Sequence, residues 1–142
     1  MNNSDIFIQK LRSSGLRPTR QRINICKLLF DRKNTFHFTI NDLAQSLDDR
    51  YDNKISLATI YNTLKQFTNL GLIREIVVDQ NKSLYCTNKE SHYHLYIEDE
   101  DKVVDIPTKN VNLDIPQIPA CLRLHNIDVI VRIRTLKESR KN

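Results

Sequence analysis

The chain has 142 residues, of which 39% are hydrophobic and 27% charged, and its net charge is +5. This length suits one ordinary domain or two small ones, and the lack of any apolar run of about 18 residues excludes a membrane span. Because the N-terminus is polar and has no apolar signal-peptide core, we expect a cytoplasmic protein.

The positive charge is concentrated in the first part of the chain. Residues 1–83 carry 13 Lys and Arg against 8 Asp and Glu, a net charge of +5, whereas residues 84–142 carry 9 against 9, a net charge of zero. A solvated basic face would also give this pattern, but a polyanionic partner for the first part explains it more directly.

Four amphipathic helices and a hairpin are predicted in this basic part. The helices are expected over 4–13, 19–32, 40–48 and 57–70, and the hairpin strands over 72–78 and 83–85. Ser56 has the residue type of an N-cap and Gly71 that of a helix stop. Helix, turn, helix and hairpin is the plan of a winged helix-turn-helix, in which the fourth helix enters a major groove.

The predicted fourth helix has an apolar stripe and a largely uncharged outer face. Its stripe at helical spacing consists of Leu57, Ile60, Leu64 and Phe67. The outer face offers hydroxyls, amides and an aromatic ring, which are groups that can read base edges. The candidate base-reading residues are Thr59, Tyr61, Asn62 and Lys65.

A second basic feature lies at the start of the second predicted helix. Arg20, Gln21 and Arg22 occupy its first turn, where the helix dipole disfavours cations. An external anion would offset this cost, so we predict that these residues contact DNA phosphate. Lys82, at the tip of the hairpin, is a further phosphate-binding candidate.

The remaining chain is predicted to be a small β-rich domain. Residues 86–91 are polar and are interpreted as a hinge, which places the domains at 1–85 and 92–142. Strands are expected over 92–97, 102–106 and 125–134, with at most a short helical piece near 109–114. Three strands are too few to be stable alone, so we predict a homodimer whose two helices read half-sites about one DNA turn apart.

The histidines are the main candidates for a ligand or sensor site. His92 and His94 lie two apart on a predicted strand, so their side chains share one face. His37, Cys86 and Asp105 are further candidate metal ligands. Imidazole with carboxylate suits iron, manganese or zinc, and a thiolate favours softer ions.

Other kinds of site are not indicated. Two glycines give no glycine-rich phosphate loop, and no nucleophile motif is recognisable, so an enzyme is not expected. Three widely spaced cysteines suggest neither a disulfide framework nor a cysteine-built zinc site.

Three segments resemble the ferric uptake regulator family: GLRPTRQR, SLATIYNTLKQFTNLGLIRE, and SHYH followed by KVVDIP. Within the family, SHYH followed by DKVVDIP and HNIDVIVRIR is most similar to the iron response regulator branch. The resemblance implies an α+β protein, with an N-terminal winged helix and a small C-terminal α/β dimerisation domain, that binds palindromic double-stranded DNA under metal control. The similarity to this branch further implies a regulator of iron and haem homeostasis, with haem or a haem-delivering protein as a partner.

The resemblance also implies roles for single residues. Tyr61 corresponds to the base-contacting aromatic, with Ser56, Ala58, Thr59 and Asn62 beside it, and Arg17 and Arg22 correspond to basic positions that approach the DNA backbone or the minor groove. His37, His92, His94 and Asp105 correspond to sensory metal positions.

The chain departs from the family pattern at several positions. Cys86 stands where the family commonly has an acidic ligand, and Tyr93 interrupts the run of histidines found in the branch. The paired cysteines that form a structural zinc site in many members are absent. Haem binding would therefore rest on His92, Tyr93 and His94. An effector-independent regulator, a peroxide-responsive regulator and a protein-binding winged helix are the alternatives.

Overall fold

The computed structural model describes residues 3–51 and 54–136 and divides into two compact units, the first ending at Lys89 and the second beginning at Glu90. The first unit combines helices with a small sheet, and the second is built on another small sheet, so the predicted α+β class is confirmed. None of the helices in the described ranges is long and apolar enough to cross a membrane.

The helices of the first unit begin close to their predicted positions. They are α1 (Asn3–Ser13), α2 (Arg20–Phe30), α3 (Ile40–Arg50) and α4 (Leu57–Asn69). Thr39 and Asp42 form a complete capping box, with both side-chain-to-backbone hydrogen bonds at 3.0 Å, which satisfies two of the unpaired N–H groups at the start of α3.

The end of α4 depends on a glycine. Gly71 has a φ of 75°, a left-handed conformation in which other residues are strained. Its N–H donates to the Thr68 carbonyl and the next N–H, of Leu72, donates to the Phe67 carbonyl, so the last carbonyls of the helix are satisfied. The predicted stop at this glycine is therefore found.

A three-stranded antiparallel sheet completes the first unit. Its strands are β1 (His37–Phe38), β2 (Arg74–Asp79) and β3 (Lys82–Cys86), in the order β1-β3-β2. The hairpin of β2 and β3 is the predicted wing. Sequence reasoning missed β1, because two residues are too short to show a strand period.

The core of the first unit lies among the helices and the inner face of the sheet. Ile60, Leu64 and Phe67 of α4 are 0% exposed, as predicted, but Leu57 is 53% exposed and its predicted burial is wrong. It lies in the first turn of α4, and the buried face of the helix begins only at Ile60. Thr63 is buried instead, because its hydroxyl donates to the Thr59 carbonyl at 2.9 Å, which removes the cost of burying it.

The second unit contains a mixed sheet. Strands β4 (His92–Ile97), β5 (Lys102–Pro107) and β6 (Ile130–Ile133) lie in the order β5-β4-β6, with β4 antiparallel to β5 and parallel to β6. A short 3-10 helix at Thr108–Asn110 replaces the helical piece expected near 109–114.

The prediction for the last strand was wrong in extent. It was expected over 125–134, but only four residues are strand, paired with His94 to Ile97 of β4. Alternating side chains can continue past the partner strand, but backbone hydrogen bonds cannot. The acidic turn after β4 anchors the end of β6: Glu98 forms ion pairs with Arg132 at 3.9 Å and with Arg134 at 3.5 Å.

Candidate metal centre and nucleic-acid interface

Two histidines converge on the buried face of β4. His92 and His94 alternate with Tyr93 in the strand, so their rings share a face and lie edge to face with centroids 4.5 Å apart. Both are buried, and their Nε2 atoms are 2.9 Å apart. The predicted convergence of the pair is therefore found, whereas Tyr93 lies on the opposite face of the strand.

A carboxylate from the neighbouring strand completes this group. Asp105 of β5 lies directly opposite His94 in the antiparallel register. Its Oδ1 is 3.4 Å from the Nε2 of His92 and 3.3 Å from that of His94. One nitrogen from each ring and one carboxylate oxygen therefore face a common point.

The tautomer of His92 is set by the backbone. Its Nδ1 lies 2.5 Å from the carbonyl oxygen of Glu90. Since a carbonyl only accepts hydrogen bonds, Nδ1 carries the proton and the neutral ring has its lone pair on Nε2. A hydrogen bond of this kind to the outer nitrogen orients many metal-binding histidines.

The spacing of these three donor atoms fits a single divalent ion. Donors bound to adjacent positions of one ion at about 2.1 Å lie about 3 Å apart, close to the observed separations of 2.9, 3.3 and 3.4 Å. Two imidazoles and a carboxylate are suited to iron, manganese or zinc.

The first unit has a donor pair of its own. His37 of β1 lies opposite Cys86 of β3, and the ligand atoms of the two side chains are within 4.8 Å of each other. Cys86 is fully buried, and its sulfur accepts a hydrogen bond from the Asn88 N–H at 3.4 Å. The missed strand β1 is what brings His37 to this position.

Aromatic packing holds β1 in place. Phe36 and Phe38, on either side of His37, stack with ring centroids 5.3 Å apart, and Phe38 stacks on Tyr85 at 5.5 Å. Burial, followed by the nearby Glu75 carboxylate, raises the pKa of Tyr85 to about 12. The alternation in Phe36-His37-Phe38 is compatible with a strand, but it is too short to predict one.

The cysteines should differ in reactivity. Burial raises the pKa of Cys26 to about 11, and the opposing effect of Lys10 is smaller. The thiolate is therefore scarce at pH 8 and becomes abundant only as the pH approaches the raised pKa. Cys86 is also buried, whereas Cys121 is exposed.

We expect iodoacetamide at pH 8 to modify Cys121 fast and Cys26 only after denaturation, as measured by peptide mass spectrometry over time. The denatured chain, in which all three cysteines are accessible, is the control. Native-state modification of Cys26 at the rate of Cys121 would contradict the burial of its thiol.

The outward face of α4 is polar and carries one cation, Lys65. Tyr61 is 47% exposed, and the exposed positions of the helix after Leu57 are Ala58, Tyr61, Asn62, Lys65, Gln66 and Asn69. Ser56 and Thr59 are engaged with each other at the start of the helix. The Ser56 hydroxyl accepts the Thr59 N–H at 3.1 Å and lies 2.9 Å from the Thr59 hydroxyl.

The predicted phosphate-binding residues lie in three different settings. Arg17, Arg20 and Gln21 are exposed around the start of α2. Arg22 is half-buried, and its guanidinium donates to the Arg17 carbonyl and to the Gln66 side chain. Lys82 begins β3 opposite Asp79 at the tip of the wing.

This architecture defines a class: a winged-helix DNA-binding unit followed in the chain by a small β-rich unit with a metal-type donor set. The sequence profile described as the Ferric uptake regulator family matches residues 13–132. The chain belongs to the ferric uptake regulator family, and it is accordingly a transcriptional regulator and not an enzyme.

Relatives and solved structures agree with this assignment. The chain is 34% identical over 105 residues to the Peroxide-responsive repressor PerR of Staphylococcus aureus. The matched region covers 74% of this chain and 69% of that protein. Its fold is similar to the ferric uptake regulator of Vibrio cholerae, with a TM-score of 0.67, 22% identity and coverage of 89% and 98%. The manganese-containing ferric uptake regulator of Pseudomonas aeruginosa gives a TM-score of 0.67, 20% identity and coverage of 93% and 99%. The predicted family is confirmed, and the iron response regulator branch stays a prediction.

Proposed function

We propose that the chain is a metal-dependent repressor that binds double-stranded DNA through α4 and holds iron or manganese with His92, His94 and Asp105. The convergence of these three donors between β4 and β5 is the observation that supports the proposal most directly. His37 and Cys86 are proposed as further metal ligands, because imidazole and thiolate donors face each other there.

The DNA-binding part of the proposal depends on the outer face of α4. Tyr61, Asn62 and Lys65 are exposed and offer a ring, an amide and a cation at helical spacing. Side chains of these types contact base edges and thymine methyl groups in a major groove. Ser56 and Thr59 are proposed to lie beside them, at the N-terminal end that approaches the bases first.

The proposed effector is bound iron, which the protein would lose on exposure to peroxide. The S. aureus relative is named a peroxide-responsive repressor, and a histidine and carboxylate donor set suits iron and manganese. Bound iron would supply redox chemistry that manganese does not, while the protein side chains hold and orient the ion. A haem centre built on His92, Tyr93 and His94 is less well supported, because Tyr93 faces away from the two imidazoles.

A homodimer is part of the same proposal. The second unit exposes many large apolar side chains in the described residues, among them Val104, Leu113, Ile115, Leu122, Leu124 and Val131. Val104 and Val131 lie in the sheet and the other four lie in the irregular segment before β6, and many exposed apolar side chains in so small a unit are typical of an association surface. In a dimer, each of the two α4 helices would contact one half-site of a palindromic operator.

Fluorescence anisotropy with promoter fragments tests the function directly. The chelator-treated protein should bind only weakly and without sequence preference, and Mn²⁺ or Fe²⁺ should restore tight binding that excess non-specific DNA does not displace. Hydrogen peroxide should then release the Fe²⁺-loaded protein and leave the Mn²⁺-loaded protein bound.

Three outcomes would contradict the proposal in different ways. Equal specific binding with and without metal would indicate an effector-independent regulator. Specific binding restored by haem alone, with a Soret band that depends on His92 and His94, would indicate a haem-responsive one. No binding to any genomic fragment at low salt would indicate a protein-interaction module.

A further inference from the structure

The guanidinium of Arg22 connects two elements of the first unit. Its Nη1 donates to the Arg17 carbonyl oxygen at 2.8 Å, and its Nη2 donates to Oε1 of Gln66 at 3.2 Å. Arg17 lies in the segment that leads into α2, whereas Gln66 lies on the exposed side of α4. One side chain therefore joins the start of α2 to the DNA-reading helix, 44 positions further along the chain.

The backbone of Arg22 is fixed as well. Its N–H donates to the hydroxyl of Thr19, the residue that caps α2, at 3.2 Å. Both ends of the residue are therefore held, and two of the guanidinium N–H groups are already engaged by protein acceptors. A phosphate-binding arginine usually points its donors at the ligand, whereas these two donors are bonded to acceptors of the protein itself, at its surface.

The position of Gln66 makes this connection relevant to DNA reading. Gln66 lies one residue after Lys65 and one helical turn after Asn62, so all three belong to the exposed face of α4. Movement of α4 against α2 would shift this face relative to Arg17 and Arg20. Base-reading and phosphate-binding residues have to be held in register for specific binding.

We propose that Arg22 is a positioning residue: it holds α4 against the segment that leads into α2 and sets the register between base contacts and phosphate contacts. This inference depends on the proposed DNA-binding function, and it replaces the expected phosphate contact of Arg22 by an intramolecular one. The planar fork of arginine is required, because the single ammonium of lysine does not satisfy both acceptors in the same geometry.

The salt dependence of DNA binding separates the two roles. Each phosphate contact contributes about 0.9 to the slope of log K against log salt. Arg22→Lys keeps the charge, and we expect it to lower the affinity for specific DNA about tenfold while non-specific affinity and salt slope stay at the parent values. Arg22→Ala should lower specific affinity to the same extent with the slope still unchanged, whereas a phosphate contact would reduce the slope by about 0.9.

A double-variant cycle tests the partner. Gln66→Leu removes the acceptor oxygen at nearly constant size, and it should lower specific affinity about as much as Arg22→Lys does. The double variant should lose no more than either single variant, because both changes break the same contact. Arg12→Lys, a conservative change at an exposed arginine near the end of α1, is the matched control and should bind as the parent does.

Folding is checked on the same proteins, and the thermal unfolding midpoint of each variant should stay within about 5 °C of the parent. Parent-like specific affinity of Arg22→Lys, a reduced salt slope of Arg22→Ala, or additive losses in the double variant would each overturn the positioning role. Absence of specific binding by the parent itself would instead overturn the proposed function, and the positioning role with it.

Discussion

The double variant His92→Ala/His94→Ala should lose affinity for Mn²⁺ by at least about 100-fold. Changes to the residues that merely orient metal ligands already cost 10–100-fold, and this variant removes two of the three converging donors. The third donor, Asp105, keeps its place in β5 opposite position 94. Equilibrium dialysis or Mn²⁺ electron paramagnetic resonance of the full chain measures the loss.

A matched control is available in the same strand. Tyr93→Phe changes the residue between the two histidines, but its side chain is on the opposite face of β4, so Mn²⁺ affinity should stay within about twofold of the parent. Asp105→Asn should give an intermediate loss, since an amide oxygen is a weaker ligand than a carboxylate. Parent-like Mn²⁺ affinity in the double histidine variant would rule out a metal centre on β4 and β5.

The first unit was largely predictable from the sequence because its signals are local. Thr39 with Asp42 specifies the start of α3, and Gly71 specifies the end of α4, each through hydrogen bonds within a few residues. The apolar spacing of Ile60, Leu64 and Phe67 specifies the buried face of α4. Such features need no knowledge of the rest of the fold.

The features that were missed depend on partners distant in sequence. β1 exists because His37 and Phe38 meet Cys86 and Tyr85 almost 50 positions later, and no local pattern encodes that meeting. The length of β6 is likewise set by its pairing with β4 and not by its own alternation of side chains. Parallel pairing of this kind depends on contacts between distant segments, and sequence patterns specify it poorly.

The candidate metal site combines features that local sequence predicts with features that depend on distant partners. Strand periodicity alone placed His92 and His94 on one face, whereas the position of Asp105 required the register of β4 against β5. The hydrogen bond from Arg22 to Gln66 of α4 was also not predictable, because the charge of Arg22 indicated a phosphate contact and its acceptor lies 44 positions further along the chain.

Tyr61→Ala should lower the affinity for specific DNA by about 10- to 100-fold, which corresponds to the roughly 1–3 kcal/mol of discrimination that a good base contact provides. Non-specific affinity and the salt slope should change little, because a tyrosine ring adds no charge against phosphate. The side chain is 47% exposed, so the free energy of unfolding should change by less than about 1 kcal/mol. Competition between operator and random DNA in anisotropy titrations measures the two affinities.

Two other positions on α4 serve as controls, because changes there should alter folding or salt dependence, which Tyr61→Ala should not. Ile60 is 0% exposed, so Ile60→Ala should cost about 2–5 kcal/mol of folding free energy and lower both kinds of binding together through loss of folded protein. Lys65→Ala removes a cation from the proposed base-reading face, so it should lower operator affinity and also reduce the salt slope, which Tyr61→Ala should leave nearly unchanged. Equal loss of operator and random DNA binding in Tyr61→Ala would show that the exposed ring of α4 does not read bases.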